Sequence, residues 1–257
     1  MRRHLILLSC LATLALAGPA TLALADTLIG TEAGDALTGT PGPDQIFGEA
    51  GDDTLTGFGG NDYLEAGPGD DTVLGGAGVE LALGGTGKDR IVLDSGADVA
   101  YAGPADDEIV GGTGNDQLFG QSGDDTITGD AGNDSIFAGT GRDFVDGGAG
   151  SDDIRSDGDA GTLIGSIGND RIFARGLGVT ARGGAGNDTI VTGAGADTIE
   201  GGSGVDSITA GAGNDLIDAR DGFGDTVRCG PGIDRVRADA RDRLDSCERR
   251  VATLLRR

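Results

Sequence analysis

Apolar side chains recur at every ninth position over most of this chain. Residues 30–218 divide into 21 units of nine residues without an insertion or a deletion, and GGAGNDTIV at residues 183–191 is a typical unit. The eighth place is Leu, Ile or Val in 18 units and Ala in the others, at Ala82, Ala100 and Ala181. Places seven to nine are rich in β-branched residues and alternate outward, inward and outward, so each unit predicts a short β-strand with one buried side chain.

The first six places of each unit are turn sequence. Glycine, which accounts for 52 of the 257 residues, adopts positive φ without a Cβ clash, and the Asn common at the fifth place is the next most tolerant residue type. A strand of three residues does not persist alone, so successive units must stack and share a core. The pattern therefore predicts one continuous solenoid and not a chain of globular domains.

The sixth place is Asp in 18 of the 21 units and makes the array strongly acidic. The chain has a net charge of −24, and residues 26–218 carry 36 acidic against 7 basic side chains. We expect no nucleic-acid partner, because affinity for phosphates comes from Lys and Arg. Carboxylates stacked beside turns with exposed carbonyl groups are ligands that Ca²⁺ prefers, so hard cations are the predicted partners. The alternative interpretation is an acidic, solvated edge that binds no particular metal.

The nonapeptides resemble the RTX, or hemolysin-type, calcium-binding repeat, and the resemblance covers residues 30–218. It implies an all-β fold, a right-handed parallel β-roll (a β-solenoid) in which two nonapeptides form one turn and alternate units form two sheets. It also implies that multiple Ca²⁺ ions bind between sixth-place Asp side chains and turn carbonyls of alternate units. The Asp residues implied as metal ligands are Asp35, Asp44, Asp53, Asp62, Asp71, Asp89, Asp98, Asp107, Asp116, Asp125, Asp134, Asp143, Asp152, Asp170, Asp188, Asp197, Asp206 and Asp215.

Three units lack a sixth-place Asp, and two of them are alternate units of the array. These two carry Gly161 and Val179 at that place, and the third carries Glu80. On the implied roll, Gly161 and Val179 lie on one edge in adjacent turns. We therefore predict a gap in the calcium sites between Asp143 and Asp197, with the opposite edge intact. Three arginines near the gap are candidates to replace part of the missing cations: Arg171, Arg175 and Arg182.

The first 25 residues have the features of a secretory signal peptide. Residues 2–3 are Arg, residues 5–16 form an apolar run, and residues 23–25 read Ala-Leu-Ala. The apolar run is shorter than the ~20 residues that a membrane span needs. We expect cleavage after Ala25, no membrane span afterwards, and a secreted, extracellular protein.

The nine-residue period ends after Asp218. Residues 219–257 are rich in Arg and contain Cys229 and Cys247, the two cysteines that remain after signal cleavage. An even pair in an exported chain most simply forms a disulfide, and two unrelated thiols are the alternative. We predict a short disulfide-linked cap over the open end of the roll. The predicted organisation is a signal peptide at 1–25, a β-roll of 21 repeats at 26–218 and an Arg-rich cap at 219–257.

A second regularity lies at the outward-facing ninth place. In alternate units it reads Leu83, Tyr101, Phe119, Phe137, Arg155, Phe173 and Val191, with Phe47 earlier in the same column. Two interpretations remain open. The Tyr101, Phe119 and Phe137 column is a surface for a cell-surface polymer, a second copy of the chain or a lipid-like ligand, or it is a cross-strand stack that stabilises the sheet.

No residue is assigned a catalytic role. The single His, His4, lies in the predicted signal peptide, the two remaining cysteines are predicted to pair, and no carboxylate pair stands out from the repeat. We predict a secreted, non-catalytic calcium-binding repeat protein that folds on binding Ca²⁺ and has a cell-surface, adhesive or matrix scaffold role. The alternatives are a polysaccharide-active glycosidase or lyase and a calcium-binding accessory part of a toxin-like protein.

Overall fold

The computed structural model describes residues 25–247, and this part of the chain consists of strands and turns without a helix. The strands are β1 (Thr27–Thr31), β2 (Ala36–Thr38), β3 (Gln45–Glu49), β4 (Thr54–Gly60), β5 (Tyr63–Pro68), β6 (Thr72–Gly78), β7 (Leu81–Thr86), β8 (Arg90–Ser95), β9 (Val99–Pro104), β10 (Glu108–Thr113), β11 (Gln117–Ser122), β12 (Thr126–Ala131), β13 (Ser135–Thr140), β14 (Phe144–Ala149), β15 (Asp153–Ser156), β16 (Thr162–Ile167), β17 (Arg171–Ala174), β18 (Thr180–Ala185), β19 (Thr189–Val191), β20 (Thr198–Ser203), β21 (Ser207–Thr209), β22 (Leu216–Ala219), β23 (Thr226–Arg228), β24 (Arg235–Ala238) and β25 (Arg243–Asp245).

Odd- and even-numbered strands form two separate parallel sheets. The odd-numbered strands make a 13-stranded sheet and the even-numbered strands a 12-stranded sheet. Neighbouring strands in the repeat come from alternate nonapeptides, as when Ile109 pairs with Ile127 in one sheet and Leu118 pairs with Ile136 in the other. Because the chain alternates between the sheets, two nonapeptides complete one turn. The predicted all-β, parallel solenoid fold is confirmed, with about 12 turns.

The core lies between the sheets and is built from the eighth-place side chains. Ile127 and Ile136, one from each sheet, have no exposed surface. The two residues that flank each of them in sequence face outward, which is the alternation expected of a strand with one buried face. Strand neighbours lie ~4.8 Å apart, so each core side chain packs against its equivalents in the turns above and below.

The sheets continue beyond the last regular repeat. Strands β23, β24 and β25 extend them, and the pairing of Leu216 with Arg235 spans one residue more than the two nonapeptides of a regular turn. A disulfide joins Cys229 to Cys247, with a sequence separation of 18. The predicted pairing of these cysteines is therefore present in the structure, and it links two successive turns at the C-terminal end of the sheets.

Two predicted segments fall largely or partly outside the described residues. The predicted signal peptide lies outside them except for Ala25, and so does the last part of the predicted cap, at residues 248–257. In residues 25–247 we find no helix of the length and apolar character that would cross a membrane.

Candidate metal centre

The turns that connect the two sheets form two long edges. We call the turns that lead into the 13-stranded sheet the first edge, and those that lead into the 12-stranded sheet the second edge. The sixth-place residue of each unit lies at the end of its turn, directly before the strand. The first edge carries Asp44, Asp62, Glu80, Asp98, Asp116, Asp134, Asp152, Asp170, Asp188 and Asp206. The second edge carries Asp35, Asp53, Asp71, Asp89, Asp107, Asp125, Asp143, Gly161, Val179, Asp197 and Asp215.

One oxygen of the buried Asp carboxylates holds the preceding turn. Asp134 is 1% exposed, and its Oδ1 accepts a hydrogen bond from the N–H of Asp116 at 2.9 Å. The N–H of Asp134 in turn donates to Oδ1 of Asp152 at 2.8 Å. The second edge has the same arrangement, for example from the N–H of Asp107 to Oδ1 of Asp125 at 3.0 Å. Each edge is therefore a ladder of carboxylate-to-amide bonds along the solenoid axis.

The other oxygen has no hydrogen-bond partner at most of these positions. A buried carboxylate oxygen without a donor is strongly unfavourable, so this arrangement requires a proton or a positive charge. In residues 25–247 the unpartnered second oxygens at predicted ligands belong to Asp53, Asp62, Asp71, Asp89, Asp98, Asp107, Asp116, Asp125, Asp134, Asp152, Asp170, Asp188, Asp197, Asp206 and Asp215. Asp35 and Asp44 differ, because their Oδ2 atoms accept hydrogen bonds from the N–H groups of Thr31 and Thr40.

Burial raises the pKa of these carboxyl groups, although the backbone hydrogen bond to Oδ1 opposes the rise. The pKa of Asp89, Asp125 and Asp134 rises to about 7. Burial, followed by repulsion from Asp98, raises the pKa of Glu80 to about 8. In each case the ionised form is disfavoured mainly because water is excluded, and further because the neighbouring charges along the edge are also negative.

The surroundings of the free oxygens fit a hard cation. A Cβ placed on Gly129 would lie 2.5 Å from Oδ2 of Asp134 and 2.5 Å from the carbonyl oxygen of Gly147 in the next turn. The absence of a side chain at Gly129 therefore leaves a carboxylate oxygen and a carbonyl oxygen facing one small space. Ca²⁺ takes six to eight oxygen ligands from carboxylates and carbonyls, so this donor set suits it.

Carbonyl groups must supply many of the ligands. Across the described part of the chain, no three His, Cys, Asp or Glu side chains are grouped as a metal site. A cation between two successive turns of an edge would therefore contact two sixth-place carboxylates. Backbone carbonyl groups of the turns would supply its remaining oxygen ligands. The turns also need glycine at the fourth place, because successive turns approach closely there. Gly132 has φ 149°, and a Cβ on it would overlap the carbonyl oxygen of Gly114.

The second edge changes between Asp143 and Asp197, where the sequence predicts a gap. The Ser156 hydroxyl donates to Oδ2 of Asp143 at 3.1 Å, so this oxygen has a protein partner. Val179 puts an apolar side chain, 1% exposed, at the sixth place. The Thr192 hydroxyl donates at 2.7 Å to a first-place carbonyl, that of Ala210. Between Asp143 and Asp197, side chains of the protein therefore occupy the space beside the sixth place or donate hydrogen bonds to the oxygens there. At most regular steps of the described edges, the corresponding carboxylate oxygens have no hydrogen-bond partner.

The arginines near the gap do not enter the edge. Arg171, Arg175 and Arg182 are all exposed. Arg175 lies 3.6 Å from Asp157 and Arg182 lies 3.6 Å from Glu200, so both form surface ion pairs. The interpretation that these side chains replace missing cations is not supported, because their guanidinium groups lie on the outer surface while the sixth-place positions are buried.

Three further acids belong to the ladders although the regular repeat does not include them. Asp225 accepts from the N–H of Asp206 at 2.8 Å, and Asp234 accepts from the N–H of Asp215 at 3.0 Å. Both have a buried, unpartnered Oδ2. Asp242 continues the first edge by accepting from the N–H of Asp225. The signal was present in the sequence as sixth-place acids displaced by one residue, at spacings of 19, 19 and 17.

The ninth-place side chains form the predicted column on the outside of the 13-stranded sheet. The rings of Tyr101 and Phe119 are stacked with centroids 4.6 Å apart, and those of Phe119 and Phe137 with centroids 5.1 Å apart. The Arg155 guanidinium lies 5.2 Å from the Phe137 ring and 5.9 Å from the Phe173 ring. The ring faces are therefore turned towards one another along the axis, and the ring edges towards solvent.

A comparison with known families gives the class of this protein. The family model described as RTX calcium-binding nonapeptide repeat (4 copies) matches residues 29–57, 56–87, 83–118, 119–154 and 182–217, which together are more than half of the chain. The chain belongs to this family of calcium-binding repeat proteins. No curated protein matches the chain significantly. The unmatched residues 155–181 include Gly161 and Val179, where the second edge loses its acids.

Proposed function

We propose that this protein is an exported calcium-binding solenoid that folds when cations fill its two edges. The proposal is carried by the rows of buried carboxylate oxygens that have no hydrogen-bond partner in the described residues. Bound Ca²⁺ supplies the positive charge that such oxygens require. The proposed ligands are the sixth-place Asp residues implied by the repeat, joined by Asp225 and Asp234, together with first-place carbonyls such as that of Gly147.

The size of the cation effect is large enough to decide folding. Extracellular calcium modules bind with Kd of ~0.1 to 1 mM. At ~2 mM Ca²⁺ and a Kd of ~0.2 mM, binding to the folded form alone stabilises it by about 1.4 kcal/mol per site. Because many sites lie on one rod, their sum exceeds the stability of an ordinary domain, which is on the order of 10 kcal/mol.

An extracellular location agrees with this calcium range. The disulfide between Cys229 and Cys247 is typical of proteins in an oxidising compartment, as are the repeats of this family. Secretion through an N-terminal signal at residues 1–25 is part of the proposal. So is the division into a β-roll at 26–218 and a cap at 219–257, although the sheets themselves run on into the second segment.

We further propose a scaffold role without catalysis, in which the rigid rod holds or spaces material outside the cell. The half-exposed column of Tyr101, Phe119 and Phe137 offers a surface to a polymer or a second copy. A surface cavity of about 450 Å³ adjoins it beside Phe137 and Phe173. The stacked ring faces favour stabilisation of the sheet over carbohydrate binding, since sugars pack on ring faces. Turnover of a polysaccharide panel by the purified protein would contradict the non-catalytic proposal.

The test of the main proposal is far-UV circular dichroism of the full chain with and without millimolar Ca²⁺. We expect a β-sheet spectrum with Ca²⁺ and the spectrum of an unfolded chain in chelator. Mg²⁺ at equal concentration is the matched control, since it keeps its waters and demands a smaller, octahedral site. Identical β-sheet spectra with Ca²⁺ and in chelator would refute calcium-dependent folding.

A further inference from the structure

Glu80 is the one glutamate among the sixth-place acids. It lies on the first edge, one turn after Asp62 and one turn before Asp98. Its side chain is 1% exposed, and in residues 25–247 neither of its carboxylate oxygens has a hydrogen-bond partner. The regular Asp residues leave one oxygen free, so Glu80 stands apart from them in leaving two.

The ladder is interrupted at this residue. The N–H of Asp44 donates to Oδ1 of Asp62 at 2.8 Å, and the N–H of Glu80 donates to Oδ1 of Asp98 at 2.8 Å. Between these two bonds, the step from the N–H of Asp62 to the carboxylate of Glu80 is not made, since both oxygens of Glu80 lack a donor. The Glu80 carboxylate is therefore not used to hold the preceding turn.

The packing around Glu80 is adapted to its longer side chain. Ala82 and Ala100 lie opposite each other in the 13-stranded sheet, where most units place a larger apolar residue. Leu93, fully buried, stands at a first place that is Gly elsewhere on this edge of the regular repeat. A Cβ placed on Gly75 would lie 3.2 Å from Cγ of Glu80 and 3.1 Å from the carbonyl oxygen of Leu93. The added volume of Leu93 and of one methylene in Glu80 compensates for the two alanines, so the carboxylate stays inside.

The Glu80 position therefore has more carboxylate oxygens without a hydrogen-bond donor than a regular position on the edge. Asp98 keeps an unpartnered Oδ2 of its own. Glu80 and Asp98 together have three carboxylate oxygens without an N–H or O–H donor, whereas Asp116 and Asp134 together have two. The Glu80 and Asp98 carboxyl groups are close enough to share a proton, so a cation between them would replace that proton. Glutamate is a common bidentate ligand of Ca²⁺, while Asp in the ladder has only one oxygen left to give.

We propose that Glu80 is a cation ligand that binds through both carboxylate oxygens, at a site shared with Asp98 that differs from the regular sites of the two edges. The proposal rests on the proposed function, because it assumes that the edges bind cations. It adds a residue that the repeat pattern leaves out, and it predicts fewer water molecules on the ion at Glu80 than on an ion at a regular step.

The chain contains a built-in reporter for this site. It has two tyrosines and no Trp, so bound Tb³⁺, an oxygen-seeking substitute for Ca²⁺, can be excited only through Tyr63 or Tyr101 by aromatic transfer at tyrosine wavelengths. Tyr63 directly follows Asp62 and pairs with Leu81, which directly follows Glu80. Tyr101 lies three residues after Asp98, so the Tyr63→Phe variant is needed to separate the emission of the two tyrosines. Emission sensitised by Tyr63 therefore reports on ions near Glu80.

The experiment uses the full chain titrated with Tb³⁺, with Glu80→Gln and Glu80→Asp as test variants. Tyr63→Phe identifies the part of the emission that comes from Tyr63, and Glu200→Gln is the matched control, an exposed glutamate on the outer face. We expect Glu80→Gln to lower the Tyr63 emission at saturation by about twofold, because one of the ions nearest Tyr63 loses its bidentate ligand. Glu200→Gln should give the same Tyr63-sensitised emission at saturation as the natural protein.

Emission lifetimes in H₂O and D₂O count the waters on the bound ion. Glu80→Asp should keep the emission and add a water to the ion nearest Tyr63. Unchanged emission in a Glu80→Gln variant that retains its β-sheet spectrum would overturn the proposal. If that variant does not fold, an unchanged water count in Glu80→Asp would overturn it instead. A natural protein that binds no Tb³⁺ and shows no calcium-dependent β-sheet spectrum would refute the proposed function itself.

Discussion

In the absence of cations, we expect acid to fold this protein. Asp89, Asp125 and Asp134 have pKa values of about 7 in the folded chain, raised mainly by burial from an ordinary value of 3.8. A raised folded pKa means that the folded form binds protons more tightly than the unfolded chain does. Each such group therefore contributes stability that is fully present below pH 3.8 and is lost as the pH rises through about 7.

The magnitude is sufficient to control the transition. A full shift from 3.8 to about 7 corresponds to about 4 kcal/mol, and we take about 2 kcal/mol per group to allow for solvent screening near the turns. Three groups then contribute about 6 kcal/mol, which is comparable with the whole stability of a small domain. Protons and Ca²⁺ thus act as alternative partners for the same oxygens.

The assay is far-UV circular dichroism of metal-stripped protein between pH 8 and pH 4 in metal-free buffer. We expect an unfolded spectrum at pH 8 and a β-sheet spectrum that develops as the pH falls through about 7 to 6, while millimolar Ca²⁺ gives a β-sheet spectrum at pH 8. Concentrated KCl at pH 8 is the control for general charge repulsion. Folding by KCl alone, or a metal-free β-sheet spectrum at pH 8 that is lost on acidification, would refute the reasoning.

Three further outcomes test the packing. Replacing Cys229 and Cys247 by Ser should destabilise the calcium-loaded protein by about 3 kcal/mol, as expected for a loop of this length, and an unchanged melting temperature would contradict a stabilising disulfide. Ile127→Ala should cost about 3 kcal/mol in urea denaturation, because the side chain has no exposed surface and its removal leaves a cavity between the sheets. Phe119→Ser with Phe137→Ser should lower stability by about 1 kcal/mol per lost ring stack without changing calcium uptake, whereas loss of surface adhesion at unchanged stability would favour a partner surface.

The sequence predicts the architecture because one nine-residue period determines both the strand in each unit and the pairing between units. A nine-residue unit with an inward eighth place requires a strand, and two units per turn require pairing between alternate units, as between Ile109 and Ile127. The implied positions of the Asp side chains follow from the same register. Their role as metal ligands stays a prediction, because the structure gives the position of each oxygen and the ion itself has to be measured.

Other features depend on three-dimensional contacts that the period does not encode. The Ser156 hydroxyl reaches Asp143, which lies two nonapeptides earlier in the chain, and nothing in the local sequence marks that contact. The fit of Glu80 depends on Ala82, Ala100 and Leu93, which come from both sheets and are adjacent only in the folded solenoid. Displacement by a single residue also conceals Asp225 from a strict nine-residue frame, although the turn absorbs that residue and returns the carboxylate to the edge.

The carboxylate-to-amide bonds give the solenoid a direction. Each Asp side chain serves the turn before it in sequence, as Asp134 serves Asp116, so a turn is completed only by the chain that follows it. A rod that lengthens towards its N-terminus presents an ordered acceptor to every incoming amide. A rod that lengthens towards its C-terminus presents an ordered amide to every incoming carboxylate. The two ends are therefore chemically unequal: the end that carries the Cys229–Cys247 disulfide presents hydrogen-bond donors, and the opposite end presents acceptors.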